Sequence, residues 1–135
     1  MVVSRQNNSG TYAYFREAVL GEEDFRLGTR DMHGSKDVVD LVEKTPCAIG
    51  YSGLAYATDH IKMPCVSQEP GSACVVPTVD SAVDGSYPIA RPLFMYSSGE
   101  PTGHVGDYLN WIKSDEGQCI ILEKGYAPAN AVSCG

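Results

Sequence analysis

Within the seven residues Arg5-Gln6-Asn7-Asn8-Ser9-Gly10-Thr11 the chain gathers a planar cation, two hydroxyls and a glycine. Those groups suit the capture of an oxyanion. A guanidinium presents a fork of N–H donors that matches the oxygens of phosphate or carboxylate. Ser9 and Thr11 add hydroxyl donors, and Gly10 lets the backbone approach a ligand without a Cβ in the way. The chemistry is binding, because no nucleophile–base pair or metal-ligating cluster accompanies it. The plainer alternative is that Ser9 or Thr11 is an N-cap and Arg5 a surface cation.

An anion trap of this kind needs a strand to deliver it and a helix to follow it. Met1-Val2-Val3 is a short apolar run, and residues 1–4 read as a strand. Thr11 to about Leu20 reads as a helix, with Tyr12, Phe15 and Val19 on one face and Gly21 as its stop. The first turn of such a helix carries unpaired N–H groups and partial positive charge. Residues 22–34 are polar and read as irregular. Ser35 reads as the N-cap of a second helix, about Lys36 to Lys44, whose apolar face is Val38, Val39, Leu41 and Val42; Pro46 ends it.

Further on, Cys47-Ala48-Ile49-Gly50-Tyr51 reads as a buried strand and Leu54–Ala57 as a short helix. Ile61–Val66 and Pro92–Tyr96 read as strands, and Thr78–Val83 as a short helix. Two more helices are expected, Thr102–Ser114 and Asp115 to about Lys124, with Gly125 as the closing residue. Strands alternating with helices predict an α/β fold built on a layered αβα sheet.

The totals exclude several classes. With 135 residues, one domain is expected. A net charge of −7 argues against nucleic acid or an anionic membrane as partner. A small anion is still compatible, since local donors govern a small site. No apolar run approaches the ~20 residues of a membrane span, and the first residues do not read as a signal peptide.

Five cysteines are present, with no CxxC pair, so no zinc site or other metal is expected. Cys65 and Cys74 flank Pro70-Gly71 and could pair in an exported chain, while Cys47 and Cys119 read as small buried hydrophobes. Cys47 has no basic neighbour to make it a nucleophile. His33, His60 and His104 are scattered, Asp37, Asp40 and Glu43 read as a solvated helix face, and Tyr51 and Tyr56 as core.

Four stretches in register resemble one family. They are Arg5-x-x-x-Ser9-Gly10-Thr11, Ala48-Ile49-Gly50-Tyr51-Ser52-Gly53-Leu54-Ala55-Tyr56-Ala57, Tyr87-Pro88-Ile89-x-Arg91-Pro92-Leu93, and Ser114-x-Glu116-Gly117-Gln118 followed by Gly125-Tyr126-x-Pro128. Together they resemble the phosphate-binding proteins of ABC phosphate transporters, the PstS family, with the type II periplasmic binding protein fold. The resemblance implies a non-enzymatic protein without cofactor that holds inorganic phosphate in a cleft between two lobes. It implies a ligand set of Arg5, Asn7, Ser9, Gly10 and Thr11, with Asn7 where some members carry an acidic residue beside the Arg.

The likeness covers the second lobe (residues 1–87) and a segment (88–135) that in the family crosses back toward the first. The implied partners are that first lobe and the membrane permease, and the implied location is the periplasm or cell surface. The rival expectation is a PstS-like fragment without useful affinity that dimerises through its orphan cleft face.

Overall fold

Val3 and Ser4 are neighbours in sequence and both are wholly buried. Successive strand residues point to opposite faces, so the strand that holds them is covered on both sides. In the computed structural model, which describes residues 1–135, this strand is β1 (Val2–Arg5). It lies at the centre of a three-stranded parallel sheet with β2 (Arg30–Met32) on one side and β3 (Ile49–Gly50) on the other. The register pairs Val3 with Arg30 and with Gly50, and Arg5 with Met32.

Two helices cover the sheet. α1 (Gly10–Ala18) follows β1, and α2 (Ser35–Lys44) follows β2 and leads across to β3. Right-handed crossovers that leave β1 one way and return the other set the two helices on opposite faces. The side chains agree. Val3, Gly50 and Val38 meet on the α2 face, where a Cβ at Gly50 would sit 2.9 Å from Val38 and 3.3 Å from the Val3 Cβ. On the α1 face, Phe15 stacks on Tyr51 with centroids 4.0 Å apart, and Phe25 closes over both. The result is the expected αβα layering.

The chain divides into two compact units, Met1–Pro64 and Cys65–Gly135. The first holds the sheet. The second is helical: α3 (Val79–Val83), α4 (Gly103–Lys113) and α5 (Asp115–Glu123). Ser114 ends α4 and caps α5, donating to Trp111 O at 2.6 Å and accepting from Gly117 N at 3.4 Å. A Cβ at Gly117 would lie 2.5 Å from the carbonyls of Trp111 and Ile112, so this corner admits only glycine without a shift. Gln118, buried, donates to Ile112 O and accepts from Ala129 N, which ties the tail to the corner. The Ser114-x-Glu116-Gly117-Gln118 stretch thus builds a helix corner. No helix is long and apolar enough to cross a membrane.

Several expectations need correction. Residues 30–32 form β2 despite their polarity, because an edge strand needs pairing with β1 more than apolar pattern. The run 47–51 keeps only two strand residues, and Ile49 is 62% exposed because β3 is the sheet edge. Ile61–Val66 makes no strand: Pro64 removes a ladder donor, and only an isolated Val66–Val75 bridge forms. Pro92–Tyr96 lies without strand pairing and exposed. Cys47 is exposed and free, with φ +59°, and Cys119 is bonded to Cys134 rather than packed as a hydrophobe. Cys65 and Cys74 are bonded, as the loop between them allows.

Candidate functional site

β1 ends at Arg5, at the carboxyl edge of the sheet. The path of the chain across the sheet reverses there, since β2 lies to one side of β1 and β3 to the other. Open α/β sheets hold ligands at such a switch point, outside the carboxyl ends of the strands. The tops of all three strands are joined by side chains at this edge. Arg5 Nη1 donates to Ser35 Oγ at 2.7 Å and Nη2 to His33 O at 3.0 Å. Ser52, just past β3, donates to Ser35 O at 3.0 Å.

Beneath the guanidinium, Arg5 N donates to the Tyr51 hydroxyl at 3.3 Å, and that hydroxyl lies 2.7 Å from Ser4 Oγ. One assignment satisfies every group: Arg5 N–H to Tyr51, Tyr51 O–H to Ser4, and Ser4 O–H on to Arg5 O at 3.4 Å. Burial among the aromatic rings pushes the Tyr51 phenol above its ordinary range, against the opposing pull of the Ser4 and Arg5 hydrogen bonds. Tyr51 is therefore a neutral prop at every physiological pH.

Arg5 is a half-buried cation without a charged partner. None of the three salt bridges in the chain includes it, and its anchors, a hydroxyl and a carbonyl, are neutral. Its Nε–H is buried and has no hydrogen-bond partner. A buried charged donor without an acceptor is costly.

α1 opens five residues beyond Arg5. Ser9 is its N-cap: Oγ accepts from Thr11 N at 3.2 Å and Tyr12 N at 3.5 Å. The capping alternative for Ser9 is thus realised, and its own proton is left to donate. No acidic residue occupies the first turn of α1. The second helix differs, since Asp37 in its first turn accepts from Gly34 N at 2.8 Å. The cap residue there is Gly34, and the Ser35 hydroxyl serves Arg5 rather than the helix end. Asn7 lies exposed in the turn between β1 and α1. His33 Nδ1 meets Gln6 Oε1 at 3.1 Å.

The residues singled out by sequence therefore lie in one strand–turn–helix at the sheet edge. Ser35, His33 and Tyr51 join them through Arg5, and Ser52 through Ser35; the four were not foreseen as a group. The available signal was Gly34-Ser35, a second Gly/Ser pair at a helix start, visible only once β2 is recognised. A shallow depression of about 340 Å³ lies elsewhere, at the opening end of β1 against Arg26–Thr29, away from the carboxyl edge of the sheet. No group of three His, Cys, Asp or Glu side chains is arranged to hold a metal.

The sequence profile of the PBP superfamily domain matches residues 1–116. The chain belongs to the PBP superfamily. Among relatives of this PBP chain, the phosphate-binding protein PstS of Pseudomonas aeruginosa is 34% identical over 131 residues, which cover 94% of this chain and 41% of that one. PstS of Bacillus subtilis is 34% identical over 129 residues, with the same two coverages. The chain thus spans about two fifths of the length of these curated relatives.

Among solved structures, a Clostridium perfringens protein assigned as a phosphate ABC transporter substrate-binding protein, with bound phosphate, superposes with a TM-score of 0.79 at 26% identity. It covers 96% of this chain and 52% of that one. A phosphate-binding protein of a Streptococcus pneumoniae phosphate ABC transporter shares the fold, with a TM-score of 0.75 at 24% identity. These neighbours agree with an α/β unit of parallel strands corresponding to one lobe of a PstS-type PBP fold.

Proposed function

We propose that this chain binds inorganic phosphate, without catalysis, as part of the substrate-binding component of a phosphate ABC transporter. The observation that carries the reading is Arg5: cationic, unpaired by any carboxylate, anchored by neutral groups, with a buried Nε–H that lacks an acceptor. Phosphate would accept from the free guanidinium N–H groups, from the Ser9 and Thr11 hydroxyls, and from the Gly10 amide at the start of α1. Asn7, an uncharged amide two residues on, would leave the guanidinium charge for the ligand. The names of the relatives support the choice of phosphate.

Residues 1–87 would form the second lobe and 88–135 the segment returning to a first lobe that supplies the opposite wall of the cleft. The exposed extended run Leu93-Phe94-Met95-Tyr96, 60–92% accessible, supports such a covering partner. The complete receptor would hand phosphate to a membrane permease from the periplasm or cell surface. Two disulfides fit an oxidising compartment of that kind. The second reading is a non-binding module that dimerises through its cleft face.

Calorimetric titration of the chain with phosphate, sulfate as control and gel filtration alongside, separates the readings. Arg5→Ala should abolish binding, while Arg91→Ala should mainly reduce stability. Equal loss of binding in both variants, each fully folded, would contradict the assignment of the site. A folded dimer that ignores phosphate would favour the second reading.

A further inference from the structure

We propose that Ser35 is a positioning residue of the anion site, fixing the Arg5 guanidinium from the start of α2; this rests on the reading that Arg5 meets a phosphate-like oxyanion. Ser35 stands at a helix start, where a serine is ordinarily a cap. Here the cap position is Gly34, its N–H is satisfied by Asp37, and the Ser35 hydroxyl is released from helix capping. It is engaged by Arg5 Nη1 at 2.7 Å, the short length of a charge-assisted bond.

Ser35 is itself held. Its carbonyl accepts from Ser52 Oγ, so one residue links the tops of β1, α2 and β3. His33 O grips Nη2 from the residue that ends the β2 connection. A guanidinium has five N–H donors. Ser35 and His33 take two, one from each terminal nitrogen, and leave three, including the buried Nε–H.

Two consequences follow from the chemistry of the anchors. Both are neutral, so they orient the guanidinium without offsetting its charge, as a carboxylate would. And because Ser35 Oγ accepts from Arg5, its own proton is free to donate onward to a ligand oxygen. An arginine held at two points loses little further freedom when the anion arrives, which favours affinity.

The test is ¹⁵N NMR of the Arg5 side chain in the wild-type chain, Ser35→Ala and Ser35→Thr, each with a phosphate titration. In the wild type, restricted rotation should give resolved Arg5 Nη signals, and the Nε signal should move on adding phosphate. Ser35→Ala should average the Nη signals and weaken phosphate binding about tenfold, the scale of one charged hydrogen bond. Its unfolding midpoint should stay near wild type, because Asp37 retains the cap. Ser35→Thr, which keeps the hydroxyl, should restore both the signals and the affinity.

Unchanged Arg5 signals and affinity in Ser35→Ala would overturn the proposal. So would a loss that Ser35→Thr fails to rescue, which would mark a packing role. A wild-type Arg5 that is immobilised yet whose Nε ignores phosphate would sink the phosphate reading itself, and with it Ser35 as a residue of an anion site.

Discussion

The two units are stabilised by different means. In Met1–Pro64 the buried side chains are Val3, Ser4, Val38 and Val39, gathered around a hydrogen-bonded parallel sheet, and no disulfide is present. In Cys65–Gly135 the buried residues are Ser81, Gly117 and Gln118, while Phe94, Tyr96, Tyr108 and Val105 lie mostly exposed. Ser81 closes a capping box with Thr78 and donates to Val76 O at 2.9 Å. Two disulfides cross-link this second unit over 9 and 15 residues. The first unit is ordered by apolar burial and strand pairing. The second relies on covalent ties and polar staples. The candidate site lies in the first, where its geometry depends on packing rather than on oxidation.

Reduction should therefore separate the two units most strongly. A disulfide closing about 15 residues contributes roughly 3 kcal/mol. Reducing both should abolish amide-exchange protection in α4 and α5 while that of β1 persists. Parallel loss of protection in β1 would break the comparison.

Glycine substitutions should come next in size. Gly117→Ala drives a Cβ against two backbone carbonyls at 2.5 Å, and backbone cannot yield cheaply. The expected cost is about 2–3 kcal/mol. Gly50→Ala meets the Val38 side chain first, at 2.9 Å, and should cost less, about 1–2 kcal/mol. Denaturant unfolding of the two variants checks the order; a larger cost at Gly50 would reverse the account of which corner is tighter.

The smallest effect concerns alkali. Burial raises both the Tyr51 and the Tyr87 phenol above the ordinary value near 10. The folded state then holds those protons more tightly than the unfolded state. Their contribution is fully present below about pH 10 and is lost as pH rises through the raised folded values. Tyr51→Phe should flatten that decline for the sheet signals and Tyr87→Phe for those of the helical unit. An unaltered alkaline limb in Tyr51→Phe would show that the aromatic cluster does not bury the phenol.

Much of this was legible beforehand because local signals and tertiary packing agree. The strand–turn–helix form of residues 2–18, the four longer helices and the Gly125 stop follow from periodicity, caps and turn chemistry. Gly125 closes α5 with φ +79°. What escaped depends on partners far away in sequence. β2 is three polar residues that become a strand only beside β1. Ser35 looks like a cap until Asp37 is seen to take that task and Arg5 to claim the hydroxyl. The apolar run at Cys47–Tyr51 suggested burial, but apolarity alone does not supply a cover, and Ile49 stands on an open edge.

The central claim is that one strand–turn–helix at the sheet edge receives phosphate. Its most direct test is a phosphate titration of the ¹⁵N-labelled chain, read at every backbone amide and at Arg5 Nε, with sulfate in parallel. The account predicts saturable shifts concentrated at Arg5 Nε and at the amides of Ser9, Gly10 and Thr11, lost in Arg5→Ala. Saturable shifts clustered elsewhere, or a folded chain whose Arg5 Nε and α1 amides stay unmoved, would contradict it.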